Sequence, residues 1–437
     1  MKLSVIGCGY LGAVHAASMA SLGHTVVGVD VDAHKIEMLA SGRVPFYEPG
    51  FDELLREQLA SGHLTFSTDF AVIADAEVHF LAVGTPQRAD GHGANLAYVD
   101  AAFESVLPHL AEGALIAGKS TVPVGTAARL DAIVREKAPH AALAWNPEFL
   151  REGFAVEDTL RPDRLVYGVR PGDEGASAVA QLDEVYATAI ESGIPRLVMD
   201  FATAELVKVS ANAFLATKIS FINAMAEIAE VTGADVTQLA DAIGHDARIG
   251  RRFLNAGIGF GGGCLPKDIR AFAARAEELG VGRAVGFLRE VDEINLRRRD
   301  RVVELALNAF DGDVTGRKIA VLGLAFKPDS DDVRDAPALD VAYRLHDLGA
   351  DVRATDPEAI ETARRVHPEL NYVPQISDAL ADAELVIVAT EWRHFRELDA
   401  AEVGSRVARA HMIDARNCLD PVAWRAAGWT FQGLGRP

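Results

Sequence analysis

The feature that most constrains this chain is its opening. A short apolar run, Leu3 to Ile6, leads at once into Gly7-Cys8-Gly9-Tyr10-Leu11-Gly12 and then a helix-forming stretch, and Asp30 closes the next apolar run, Val26 to Asp30. A strand, a glycine turn, a helix and an acid at the end of the second strand form a β-α-β unit suited to gripping a dinucleotide. Gly7 permits the tight turn, Gly9 lets the backbone approach the pyrophosphate, and Gly12 allows close helix packing, with the phosphates on the helix N-terminus. Asp30 can accept hydrogen bonds from both hydroxyls of the adenosine ribose and repels a 2′-phosphate, so NAD is expected rather than NADP. Cys8, inside the turn, is read as packing.

The same rhythm continues. Val78 to Val83, Leu115 to Lys119 and Ala142 to Trp145 read as further strands, implying a parallel sheet with helices on both faces. From Thr203 to Val231 the pattern becomes helical and apolar around most of its circumference, which predicts a buried helix ended by Gly233. A second helical pattern runs from about Arg283 to Phe310, where Arg297, Arg298 and Arg299 are expected to form one polar patch. After Gly312 the alternation restarts with Lys318 to Leu322, Val352 to Thr355 and Leu385 to Ala389 as strands. A chain of 437 residues exceeds one hydrophobic core and fits roughly three domains. The expected fold class is therefore α/β: two Rossmann-like, doubly wound parallel-sheet domains, at 1–200 and 311–437, joined by a central helical region, 201–310, with a long helix.

Composition excludes several classes of function. A net charge of −20 argues against a broad nucleic-acid-binding face, although a few local cations can still hold a phosphorylated small molecule. No apolar run approaches the ~20 residues that span a bilayer, and the N-terminus lacks a signal-peptide pattern, so no membrane and a cytoplasmic location are expected. Cys8, Cys264 and Cys418 make neither a CxxC pair nor a metal-ligand spacing, which points to a reducing compartment and no metal.

The sharpest local feature is Phe253-Leu254-Asn255-Ala256-Gly257-Ile258-Gly259-Phe260-Gly261-Gly262-Gly263-Cys264-Leu265-Pro266-Lys267-Asp268. Its glycines exclude a regular element and expose backbone N–H groups that can cradle an anion or oxyanion. The loop ends on a cysteine, followed by Lys267, able to favour a thiolate, and Asp268, able to take a proton. Lys208 and Asn212 lie one turn apart on the apolar middle helix, where a lysine is costly to bury unless it meets an anion. Three loops after predicted strands complete the candidates: Val83 to Pro86 with Thr85, Lys119 to Pro123 with Thr121, and Asn146 to Gly153 with Glu148 and Glu152. In open α/β sheets ligands gather at such strand ends.

These residues resemble the UDP-glucose/GDP-mannose dehydrogenase family over essentially the whole chain. The most specific parts are Phe253 to Asp268, Asn146 to Gly153, Glu205-Leu206-Val207-Lys208 with Asn212, and Phe326-Lys327-Pro328 with Asp332-Val333-Arg334. FLNAG before the GFGG turn is closer to the UDP-glucose branch than to the GDP-mannose branch. One departure is Gly263, where the family commonly has Ser before the nucleophile. The resemblance implies oxidation of a sugar C6 alcohol to a carboxylate with two NAD+ and one water. It implies Cys264 as the nucleophile that captures the aldehyde as a thiohemiacetal, later a thioester. Asp268 and Lys208 would deprotonate the hydroxyl, with Asn212 beside them and Thr121 as helper. Glu148 would help activate water, and Glu152 would position cofactor and substrate.

Lys35, Thr85, Thr121, Glu152, Lys267 and Arg334, with the glycine loop and its Tyr10 and Leu11, would line the dinucleotide. Glu148, Phe149, Leu150, Arg151, Glu152, Lys208, Asn212, Phe253, Leu254, Asn255, Ala256, Gly257, Gly261 and Lys327 would bind UDP-glucose, and Arg248 would enter a partner's site in a homodimer. Rivals stay open: the same chemistry on GDP-mannose or a UDP-N-acetylhexosamine, a two-electron hydroxyacid-type dehydrogenase needing no thiol, and a nucleotide sensor with a dead site.

Overall fold

Fourteen strands fall into two sheets. The computed structural model describes all residues, Met1–Pro437, and the chain divides into two compact units, Met1–Ala211 with Ala274–Gly280 and Asn212–Ala273 with Val281–Pro437. The residues read as a central helical region are shared between them, the cut falling within the 32-residue helix Phe201–Thr232.

The first unit holds β1 (Lys2–Ile6), β2 (Thr25–Val29), β3 (Leu64–Ser67), β4 (Val78–Leu81), β5 (Leu115–Gly118), β6 (Ala142–Trp145), β7 (Leu165–Gly168) and β8 (Arg196–Met199). Their order is β3-β2-β1-β4-β5-β6-β7-β8. The central strands are buried along nearly their whole length, as in β1, β4 and β5, which is why they read as unbroken apolar runs. The sheet departs from the all-parallel expectation at β6–β7, which pair antiparallel through Trp145 and Gly168. Strand β8 was not legible because it is an edge strand with Leu197 and Val198 facing solvent.

The second unit holds β9 (Lys318–Leu322), β10 (Asp351–Thr355), β11 (Asn371–Tyr372), β12 (Leu385–Val388), β13 (His411–Asp414) and β14 (Thr430–Gly433), in the order β11-β10-β9-β12-β13-β14. All neighbours are parallel. Renumbered from one, this is the 3-2-1-4-5-6 order of dinucleotide-binding sheets, so the C-terminal segment forms an edge strand.

Two expectations about the helices need correction. The long helix is not buried all round: Phe214, Phe221 and Ile228, seven residues apart, are 67%, 49% and 52% exposed. Nor do the three arginines of the helix Phe287–Asn308 form one patch. Successive residues on a helix point about 100° apart, and Arg298 turns inward, donating to the Gly257 carbonyl and Glu230, while Arg299 is held by Asp335.

Burial also gives the first unit an acid sensitivity. His79 on β4 is fully buried with Nδ1 2.8 Å from Ser4 Oγ, and desolvation pulls its pKa from 6.5 down to about 4. The folded state therefore keeps the ring neutral. Its contribution is complete above pH 6.5 and is lost as pH falls through 4, by about 3 kcal/mol. Thermal unfolding followed between pH 7 and 4 should show this decline, and His79→Asn should flatten it; an unchanged slope would assign it elsewhere.

Candidate active site

In the first unit the glycine turn is built by close approach. Gly7 has φ +92° and donates to the Val29 carbonyl at 2.8 Å. A Cβ on Gly12 would lie 1.8 Å from the Gly7 carbonyl oxygen, whereas one on Gly9 would meet nothing within 4 Å. The turn thus packs at its last glycine and stays open at its middle one, at the N-terminus of the helix Tyr10–Ser21, as pyrophosphate binding requires.

Asp30 accepts from Cys8 N–H at 2.8 Å, from Asp32 N–H at 3.0 Å and from Lys35 Nζ at 2.8 Å. A carboxylate offers about four acceptor sites, so one is open to a ribose hydroxyl. The second hydroxyl must displace the half-exposed Lys35. The residues fit NAD on these terms.

The Tyr10 side chain is tied down beside this turn. Its hydroxyl donates to the buried Glu48 and accepts from Gly153 N–H at 2.9 Å, and Glu48 also accepts from Gly153 N–H at 2.6 Å and Ala155 N–H at 2.7 Å. Burial, then the bond to Glu48, pushes the phenol pKa up. The same latch anchors the Asn146–Gly153 segment.

Within that segment Glu148 Oε1 accepts from the N–H groups of Phe149 and Leu150, and Oε2 pairs with Lys119 at 3.0 Å. Arg151 pairs with Asp158. Phe149 carries two cations over its ring, the Arg164 guanidinium at 3.9 Å and Lys208 Nζ at 5.4 Å, so the structure brings Lys208 to this loop. Thr85 Oγ1 donates to the Thr121 carbonyl at 2.8 Å, linking two of the predicted strand-end loops. Glu205, read only as part of a motif, accepts from Gly125 and Ala127 N–H groups at 2.7 Å each, capping the helix Thr126–Lys137; burial raises its pKa against those donors.

The second unit carries the thiol. Cys264 is exposed and stands immediately before the helix Leu265–Glu278, its carbonyl accepting from Asp268 N–H at 2.9 Å. Asp268 lies buried one turn on, with Oδ2 receiving Asn212 Nδ2 and Oδ1 receiving Lys267 Nζ, each at 2.6 Å. Asn212 and Lys267 therefore converge on one carboxylate. The other cysteines are unsuited to this role: burial, first of all, pushes the Cys8 and Cys418 thiols up.

The glycines before Cys264 are required by contact. Gly259 has φ +103° and a Cβ there would sit 2.5 Å from Asn295 Oδ1; Gly261 faces the Asp335 carbonyl and Gly262 the Phe326 ring. Asn295 clasps the Phe260 backbone with both ends of its amide, at 2.7 and 2.9 Å. Asn223 receives Gly257 N–H, and Asn417 donates to the Ala256 carbonyl. These asparagines were missed because each lies far along the chain, with no local pattern. Gly262 N–H bonds the Arg334 carbonyl at 2.8 Å, which brings the Lys327–Arg334 loop against the glycine loop. A Cβ on Gly263 would lie 2.4 Å from the Arg334 guanidinium carbon; serine there requires that flexible side chain to shift. Arg248 stands apart, 89% exposed and paired only locally with Asp246.

The second sheet repeats the dinucleotide turn: Gly323, φ +108°, donates to the Thr355 carbonyl, and Leu324 N–H to Asp356 at 2.7 Å. Here, however, Trp392 Nε1 also donates to Asp356, at 3.1 Å, and the carboxylate is buried. The counterpart of the ribose seat is filled by an indole.

A glycine-turn Rossmann unit with an acid at its second strand, a second sheet of the same order and an exposed cysteine ahead of a buried, amide-held aspartate define a nucleotide-dependent dehydrogenase. Residues 1–190 match the NAD binding domain, 202–297 the central domain and 320–421 the UDP binding domain of the UDP-glucose/GDP-mannose dehydrogenase family. The chain belongs to that family. A UDP-glucose 6-dehydrogenase of Rhizobium meliloti (strain 1021) is 41% identical over 441 residues, covering 100% of both chains. Among solved structures, a UDP-glucose dehydrogenase from the hyperthermophilic archaeon Pyrobaculum islandicum superposes with a TM-score of 0.89 at 39% identity, covering 100% of this chain and 98% of that one. A UDP-D-ManNAc dehydrogenase from Pyrococcus horikoshii gives 0.86 at 26% identity, covering 100% and 99%.

Proposed function

We propose that the chain is a UDP-glucose 6-dehydrogenase, oxidising the C6 alcohol of UDP-glucose to the carboxylate of UDP-glucuronate. The observation that carries this reading is the exposed Cys264 at a helix start, one turn ahead of a buried Asp268 clasped by Asn212 and Lys267. The higher identity to relatives named for UDP-glucose than to the UDP-D-ManNAc enzyme favours the glucose substrate.

When bound, NAD+ accepts a hydride from the sugar carbon at each of the two oxidations. Asp268, with Lys208, takes the hydroxyl proton, and Lys208 stabilises the oxyanion, with Thr121 as helper. The Cys264 sulfur adds to the aldehyde carbon and holds this reactive species as a thiohemiacetal; the second oxidation converts it to a thioester. Glu148 then takes a proton from the water that releases the acid. Glu152 positions cofactor and substrate, Lys327 and the Phe253–Gly257 segment bind the nucleotide sugar, and Arg334 lies at the dinucleotide.

The reading includes a cytoplasmic homodimer with Arg248 entering the partner's site. The heptad-spaced apolar residues Phe214, Phe221 and Ile228, exposed on one chain, support it. One experiment tests the whole: purified protein, its molar mass fixed by light scattering, is assayed with UDP-glucose, GDP-mannose and UDP-N-acetylhexosamines. The expected result is a dimer or larger assembly, two NADH per sugar, and the largest kcat/KM for UDP-glucose. One NADH with released aldehyde or ketone refutes the covalent route, a better sugar refutes the substrate, and a monomer refutes the assembly.

A further inference from the structure

Lys119 is an unexplained charge. It follows β5, its side chain is 3% exposed, and burying an ammonium is costly unless every donor is met. All three donors are met: Asn146 Oδ1 at 3.0 Å, Tyr186 Oη at 3.1 Å and Glu148 Oε2 at 3.0 Å. The tripod is itself braced. Tyr186 donates to Asn146 Oδ1 at 2.7 Å, and Asn146 Nδ2 donates to the Val166 carbonyl at 3.0 Å. Burial and then the charge of Glu148 raise the Tyr186 phenol well above its usual range, so it remains a neutral partner. Burial and then the charge of Lys119 keep the fully buried His15 ring neutral, leaving Glu148 as the counter-ion.

The consequence lies at Glu148. A carboxylate has about four acceptor sites. Two on Oε1 are taken by the Phe149 and Leu150 N–H groups and one on Oε2 by Lys119. The open site is on Oε2, the oxygen the ammonium holds. We propose that Lys119 is a positioning residue for thioester hydrolysis, fixing Glu148 so that Oε2 presents its remaining lone pair to the attacking water. This rests on the reading that Glu148 activates that water. In the step, the water oxygen bonds to the thioester carbonyl carbon, the bond from that carbon to the Cys264 sulfur breaks, and the water proton passes to Glu148 and on to the released sulfur. No electrons are gained or lost.

The test compares the unaltered full chain with Lys119→Met and Glu148→Gln, using UDP-glucose and NAD+, stopped-flow detection of NADH and intact-mass spectrometry. Lys119→Met should keep the initial NADH burst, slow steady-state turnover by about 30-fold and accumulate the sugar acyl adduct on Cys264. Should that variant fail to fold, Lys119→Gln replaces it, deleting the charge while keeping an amide for Asn146 and Tyr186. Adduct in both the Lys119 and Glu148 variants supports the proposal. Adduct in Glu148→Gln with near-normal turnover in the Lys119 variant overturns the proposal and leaves the Glu148 reading standing. No adduct in Glu148→Gln overturns that reading and the proposal with it. A burst lost in proportion to turnover shows Lys119 to be structural only and likewise overturns it.

Discussion

Replacing Cys264 by Ser should lower kcat by about three orders of magnitude or more while leaving NAD affinity within about twofold. Cys264 is exposed immediately before a helix, and its carbonyl accepts from Asp268 N–H, a bond that exchange of sulfur for oxygen leaves in place. The glycine turn and Asp30 belong to the other unit. A serine hydroxyl is a far weaker nucleophile at neutral pH, so the aldehyde is not captured and the second oxidation fails. Steady-state kinetics and calorimetric NAD titration make the check. Turnover within tenfold of the unaltered protein would remove the covalent mechanism.

The second large effect is expected at Asp268→Asn, a loss of about 10² to 10⁴ in kcat, the usual worth of a positioned proton acceptor. The change also strands one of two partners. Asn212 Nδ2 and Lys267 Nζ both donate to this carboxylate, and a neutral amide can accept on one atom only. A structural contribution of about 1 to 3 kcal/mol, typical of an unpaired buried group, should appear as a lowered Tm. The two effects separate in the full kinetic trace: losing the acceptor slows the first hydride transfer, whereas misfolding lowers the burst amplitude at an unchanged rate. A normal burst rate would move the proton-accepting role to another residue.

Each of these predictions begins from a residue that local sequence exposed. Cys264 and Asp268 stand out because five glycines in seven positions cannot form a helix or strand, and a cysteine, a lysine and an aspartate follow at once. Glu48, Lys119, Asn223 and Asn295 gave no comparable signal. Each sits in an ordinary strand end, loop or helix, and its partner is 34 to 105 residues away or, for Lys119 and Glu148, on the neighbouring strand-end loop.

By itself, the sequence determined what depends on neighbours along the chain: strand periodicity, the glycine turn, the acid 18 residues past Gly12 and the identity of the thiol segment. Those features act through backbone sterics and local burial, which a short window contains. Only the tertiary structure decided which buried charges are paired, that β7 and β8 run against the rest of their sheet, that the long helix leaves an apolar stripe exposed, and that Trp392 fills the ribose seat of the second domain. Those outcomes are set by contacts between distant segments, where packing geometry and the cost of an unmet buried donor or charge choose the partner.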